Sequence, residues 1–150
     1  AHSCPWLVRP NRRRHSGHSH IGAMIPRMRI TRLYTGDDGI SPFEDVDVDL
    51  EDYGEMGQIS GLWRGPGVIF RQVSGDYDLD FHVAPRRQLV VNLTGSVELD
   101  TGEEARVFEA GSIMLAEDTT GKGHVSRNVD GRPRSCLFVP LADGEGERSA

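Results

Sequence analysis

Residues 75–95 read GDYDLDFHVAPRRQLVVNLTG, and residues 111–128 read GSIMLAEDTTGKGHVSRN. Both segments begin at a glycine and continue as short runs rich in apolar and β-branched residues, a pattern typical of strands joined by turns. His82 and His124, one in each segment, are the only histidines after residue 35. Although 42 positions separate them, they can converge if both segments are strands of one small barrel. The sequence therefore predicts a metal site or an acid–base site in the barrel mouth.

Short strands separated by turns continue through the rest of the chain. We expect them at residues 29–34, 45–50, 68–73, 79–84, 88–93, 96–99, 106–108, 112–115, 124–126 and 136–141. They recur at intervals of about ten residues, with glycine-containing turns and no helical period, which indicates an all-β sandwich or barrel.

Length and charge limit the domain organisation and the classes of function. At 150 residues we expect one domain: a barrel at 28–141, a disordered basic tail or non-native extension at 1–27, and a polar tail at 142–150. Residues 1–35 hold seven arginines and no acidic residue, so the remaining residues carry a net charge of −13. So acidic a body argues against binding nucleic acid or anionic membranes.

The lengths of the apolar runs and the cysteine content predict a soluble, cytoplasmic protein. No run approaches the roughly 18 apolar residues of a membrane-spanning helix. Cys4 and Cys136 are the only cysteines, which gives no disulfide framework and fits a reducing compartment.

The two histidine segments resemble the paired motifs of the cupin superfamily. In the first motif Gly75, His82 and Gly95 match, whereas Ala84 and Gln88 stand where a second histidine and a glutamate are usual. The resemblance covers about residues 28–141 and implies an all-β double-stranded β-helix, the cupin jelly-roll barrel.

In the second motif Gly111, His124 and Asn128 match, but the intervening loop is longer and lacks the usual proline. The strings DFHVAPRRQ (80–88) and EDTTGKGH (117–124) resemble a group of short bacterial cupins without a well-established activity. Since small cupins commonly pair their barrels, and an exposed edge strand needs protection, the resemblance also implies a homodimer.

The motif positions predict a metal centre at His82, Gln88 and His124. Two imidazoles and an amide oxygen could hold a divalent first-row transition metal (iron, manganese, nickel or zinc), with water in the open positions. Because alternate residues on a strand share a face, we expect Asp80 beside His82, as a ligand or as a partner that orients the imidazole. The structural alternative is an inert barrel with hydrogen-bonded buried histidines.

A metal-free alternative makes His82 and His124 catalytic acid–base residues. A pair such as His124–Asp118 or His82–Asp80 could abstract and return a proton, as cupin-like sugar epimerases do. For Asp118 itself the sequence favours a role in a turn or cap.

Four further residues are candidates for ligand binding. Arg86 and Arg87 could clamp a carboxylate or form an exposed corner, and Trp63 and Tyr77 could line the pocket or fill the core. Three functions fit these residues, each acting on a small organic molecule that can be anionic: a metal-dependent oxygenase, lyase or isomerase, a non-catalytic ligand-binding or sensing protein, and a metal-free isomerase or epimerase.

Overall fold

The computed structural model describes residues 26–143. Its elements in chain order are β1 Arg29–Tyr34, β2 Phe43–Asp47, β3 Leu50–Asp52, a 3₁₀ helix Gly54–Met56, β4 Gln58–Ser60, β5 Ile69–Val73, β6 Asp78–His82, β7 Gln88–Asn92, β8 Val97–Asp100, β9 Ala105–Phe108, β10 Ile113–Glu117, β11 His124–Asn128 and β12 Arg134–Pro140. The described part of the chain thus contains strands and one short 3₁₀ turn, and the predicted all-β class is confirmed.

Strands β5 to β12 form one long antiparallel ribbon that is folded back on itself. β8 and β9 make the hairpin at its closed end, and further out β7 pairs with β10, β6 with β11 and β5 with β12. The ribbon coils, so that β7 also pairs with β12 and β8 with β11. This is the double-stranded β-helix, or jelly-roll barrel, that the sequence predicts.

Coiling distributes the ribbon over two sheets. One has six strands in the order β2-β1-β10-β7-β12-β5, and the other has four in the order β6-β11-β8-β9. β1 lies parallel to β10 and carries β2 on its outer side. The histidine strands β6 and β11 are neighbours in the four-stranded sheet.

The core lies between the two sheets because strand residues alternate between faces. On β10, Met114 and Ala116 point into the main cluster, which Leu99 and Phe108 reach from the opposite sheet. Leu115 points the other way, into a smaller cluster on the outer face of the six-stranded sheet.

The structure corrects one predicted strand. The alternating stretch 45–50 is divided between β2 and β3, and β3 pairs with β4, which the sequence did not predict, in a separate hairpin. Cys136 is a buried free thiol, whereas Cys4 lies outside the described residues. The predicted tails at 1–27 and 142–150 also lie outside them, apart from residues 26–27 and 142–143. Residues 26–143 contain no helix long and apolar enough to cross a membrane.

Candidate functional site

The two sheets enclose a cavity of about 360 Å³. Its walls include His82, His124, Gln88 and Tyr77, four of the residues that the sequence singles out. The volume lies near the lower end of the roughly 300–1,000 Å³ usual for small-molecule sites. The size therefore suits a small ligand.

The two histidines lie side by side. β6 and β11 are antiparallel, and His82 is directly opposite His124 in their register. Their ring centroids are 4.5 Å apart, with the ring planes inclined by 58°. The two segments thus converge as strands of one barrel, and because they are neighbours in one sheet the rings lie closer than two facing sheets would bring them.

Gly123 makes this close pairing possible. Its φ is +72°, and a Cβ built on it would lie 2.0 Å from the carbonyl oxygen of His82. A side chain here would push β6 away from the loop that leads into β11, so only glycine fits at this position.

Each imidazole is held by a hydrogen bond through its Nδ1 atom. His82 Nδ1 lies 2.8 Å from the backbone carbonyl oxygen of Asp80, and His124 Nδ1 lies 2.6 Å from Asp118 Oδ2. A carbonyl oxygen and an ionised carboxylate only accept, so each Nδ1 donates. In the neutral rings each Nε2 then carries the free lone pair.

Asp118 has a different role from the turn or cap that the sequence favours. It is completely buried, and its Oδ2 also receives the Ser41 hydroxyl at 3.4 Å. Its Oδ1 has no hydrogen-bond partner. The favoured turn or cap role is therefore wrong for this side chain, which orients His124.

Asp80 is the second correction. The register runs from His124–His82 to Ser126–Leu79, so β6 contains one more residue than β11 in this interval. This β-bulge shifts the alternation of side chains. Asp80 is consequently exposed, and its carboxylate accepts from the backbone N–H of Phe81 at 2.8 Å, outside the cavity that His82 enters.

The pKa of His82 is lowered from its ordinary value of 6.5. Burial is the main cause, and the hydrogen bond to Asp80 opposes it. The neighbouring His124 lowers the pKa further, while Asp118 raises it. His82 is therefore a neutral base at pH 7.

The three predicted metal ligands all line the cavity, and Gln88 already has a hydrogen-bond partner. Gln88 is buried and lines the cavity, but its Oε1 accepts a hydrogen bond of 3.0 Å from Arg86. The positive charge of this guanidinium would repel a metal cation bound to the same oxygen. Across residues 26–143 no three His, Cys, Asp or Glu side chains are grouped so that they could hold a metal ion. Metal binding at His82, Gln88 and His124 stays a prediction.

The four predicted ligand-binding residues are widely separated. Tyr77 lines the cavity and bonds to the Ser126 hydroxyl at 3.0 Å. Trp63 packs on the outer face of the six-stranded sheet. Arg86 is exposed beside Gln88, and Arg87 pairs with Glu117 at 2.8 Å, so neither arginine lines the cavity.

Two cavity residues were missed by the sequence reasoning: Arg71 on β5 and Arg134 on β12. A usable signal was present for Arg134. The apolar run 136–139 predicts a strand in the middle of a sheet. Arg134 precedes Cys136 by two residues, so alternation places both side chains on the same, inward face of that strand. Both are in fact buried.

Comparisons with known proteins add little to this geometry. No family model matches the chain, and no curated protein matches it significantly. Among solved structures, it is similar to a protein described as ethanolamine utilization protein Q from Salmonella typhimurium LT2, with a TM-score of 0.35 and 13% identity over 77% of this chain and 97% of that one. The fold assignment therefore depends on the strand order itself, and the relation to cupins stays a resemblance.

Proposed function

We propose that this protein binds a small organic molecule in its interior cavity and transfers a proton on it at the His82–His124 pair. The observation that supports this most is the contact of 2.6 Å between His124 Nδ1 and the fully buried Asp118 carboxylate. Burial strengthens such a contact, because water does not screen it. It holds His124 in one orientation and one tautomer, with Nδ1 toward Asp118 and Nε2 free.

The two imidazoles suit opposite halves of a proton transfer. His82 is neutral and has its Nε2 lone pair free to take a proton from carbon or oxygen. His124 has its Nδ1 bonded to Asp118, which leaves its Nε2 to hold and return a proton. Taking a proton from one position and returning it at another, or on the other face, is an isomerisation or epimerisation and needs no redox partner.

Hydrogen–deuterium exchange tests this function without knowledge of the natural substrate. The full chain would be incubated in D₂O with a panel of small carbonyl compounds that carry acidic C–H bonds, and deuterium incorporation followed by NMR. We expect protein-dependent incorporation that His82→Asn abolishes, because His82 takes the proton. His124→Asn should reduce incorporation by about 10²–10⁴-fold, the range for loss of a positioned acid or base, and Asp118→Asn should shift its pH profile. Incorporation that survives either histidine substitution unchanged would refute the proposal.

Metal-dependent chemistry is the second candidate, because two Nε2 lone pairs side by side are also the beginning of a metal site. Elemental analysis of protein purified without a histidine tag decides this. About one equivalent of iron, manganese, nickel or zinc, lost in a His82→Ala/His124→Ala variant, would support it. Ligand binding without exchange and without metal would leave the third function, a non-catalytic binding or sensing protein.

A further inference from the structure

The cavity has the opposite charge from the rest of the molecule. The chain has 23 acidic residues, yet the cavity wall contains Arg71 and Arg134 and no aspartate or glutamate. Both arginines lie on neighbouring strands of the six-stranded sheet, with Arg71 directly opposite Cys136 and Val73 directly opposite Arg134.

Arg134 is a buried cation without a carboxylate partner. The residue is 3% exposed, and its side chain bonds to the neutral amide oxygens of Asn128 at 3.2 Å and Asn92 at 3.5 Å and to the Cys136 thiol. Among residues 26–143 it forms no ion pair. Burying a charge without an opposite charge beside it destabilises the fold. An anionic ligand that pairs with Arg134 would offset that cost.

Arg71 shares the same wall and increases the positive charge. Its guanidinium lies 4.8 Å from the centroid of the Tyr77 ring, and that of Arg134 lies 5.9 Å from the same centroid. Within the described residues Arg71 has aromatic contacts, including Phe138 at 5.4 Å, but no ion pair. Two like charges beside one ring repel each other, and an anion between them would remove the repulsion.

Much of the remaining cavity wall is apolar. Its apolar lining residues include Val97, Leu99, Phe108 and Met114. A ligand that fits both parts has one compact anionic group and a hydrocarbon portion. A planar carboxylate matches the guanidinium fork. A phosphate, with three oxygens to satisfy, usually takes a helix N-terminus or more donors, and residues 26–143 contain no α-helix.

We propose that Arg71 and Arg134 bind the carboxylate of a small organic acid whose apolar part packs against the core side of the cavity. This specifies the ligand class of the proposed function and rests on it, and it replaces Arg86 and Arg87 as the predicted clamp. The acid's carboxylate at the arginines leaves the rest of the molecule to reach the imidazole pair.

Isothermal titration calorimetry on the full chain tests the inference with hexanoate and benzoate as probes. Hexanamide and benzamide are the uncharged counterparts, and phenyl phosphate is the alternative anion. We expect both carboxylates to bind, the amides to bind at least tenfold more weakly, and Arg71→Gln to lower carboxylate affinity by about 10- to 100-fold, as for the loss of a charge-assisted hydrogen bond.

Arg127→Gln is the matched control. Arg127 lies on β11 and pairs with Glu98 at 3.5 Å, and it does not line the cavity, so its loss removes the same charge elsewhere. We expect affinity to change less than twofold. Arg134→Gln should also lose binding; if its unfolding curve shows that it does not fold, Arg71→Gln still decides. Amides that bind as tightly as acids, tighter binding of phenyl phosphate, unchanged affinity in Arg71→Gln, or no carboxylate binding at all would each overturn the inference.

Calorimetry and deuterium exchange on the wild type separate this inference from the proposed function. If the wild type binds carboxylates through Arg71 but shows no deuterium exchange, the ligand class stands and proton transfer fails. If exchange occurs on neutral carbonyl compounds and carboxylates do not bind, the ligand class fails and proton transfer stands.

Discussion

Replacing Gly123 with alanine should selectively disturb the histidine pair. A Cβ at this position would lie 2.0 Å from the His82 carbonyl oxygen, and real Cβ contacts essentially never fall below 3.0 Å. The backbone of β6 must therefore retreat by about the difference. The φ of +72° adds about 1–2 kcal/mol for any residue with a side chain, and overpacking against backbone costs a further ~1–3 kcal/mol. The total loss is about 2–5 kcal/mol.

Gly131→Ala separates the steric cost from the backbone cost. Its φ is +69°, almost the same as that of Gly123, but a Cβ there meets nothing within 4 Å. We expect it to lose only the ~1–2 kcal/mol of the backbone term. Urea unfolding at pH 7 gives both values from the transition midpoint at constant slope. If the two variants agree within about 0.5 kcal/mol, near the limit for additive comparison, then β6 does not approach Gly123 this closely, and the paired placement of His82 and His124 is refuted.

Three further changes test other parts of the molecule. Leu33→Ala should cost about 2–5 kcal/mol in thermal unfolding, because Leu33 is fully buried in the main core; a loss below 1 kcal/mol would contradict that packing. Burial would raise the pKa of Glu117, but hydrogen bonds from Arg32 and Arg87 outweigh it and lower that pKa below 4.5. The stability that Glu117 contributes is therefore present above pH 4.5 and lost as the pH falls through the lower folded value, so Glu117→Gln should lower the free energy of unfolding at pH 7 and approach the wild type in acid. An equal difference at both pH values would show that the ion pairs of Glu117 with Arg32 and Arg87 do not form. Phe70 is 83% exposed on the edge strand β5, where we expect the predicted homodimer to form; Phe70→Ser should shift light scattering toward the monomer, and a wild-type monomer at high concentration would exclude the dimer.

Local sequence signals located β1 and the strands β5 to β12. β1 occupies the same residues as predicted, because an alternating run is bounded there by a glycine-containing turn. The hairpin of β3 and β4 was missed for a physical reason: each strand has three residues, which is too short for an alternating pattern to register. Its pairing is set by the intervening turn rather than by burial.

The site was harder to predict because its decisive contacts are between distant segments. The position of Asp118 depends on its loop being held to the segment that follows β6, where the Ala84 N–H donates to the Asp118 carbonyl oxygen at 3.0 Å. No residue near Asp118 in the sequence encodes that contact. Arg134 differs, since period-two alternation alone would have found it. Sequence reasoning can therefore recover an inward-facing residue on a regular strand but not a loop residue fixed by tertiary pairing.

The bulge in β6 connects these features. Tyr77 and Leu79 face the cavity, so regular alternation would turn Phe81 inward next and leave His82 outside together with Asp80. The extra residue between Leu79 and His82 reverses the phase, and His82 enters the cavity while Asp80 stays in solvent. On a regular strand Asp80 and His82 would lie on the same face, so either both side chains or neither would enter the cavity. The irregularity thus supplies an imidazole without a carboxylate, which keeps the cavity wall free of acidic groups beside Arg71 and leaves its positive charge available to an anionic ligand.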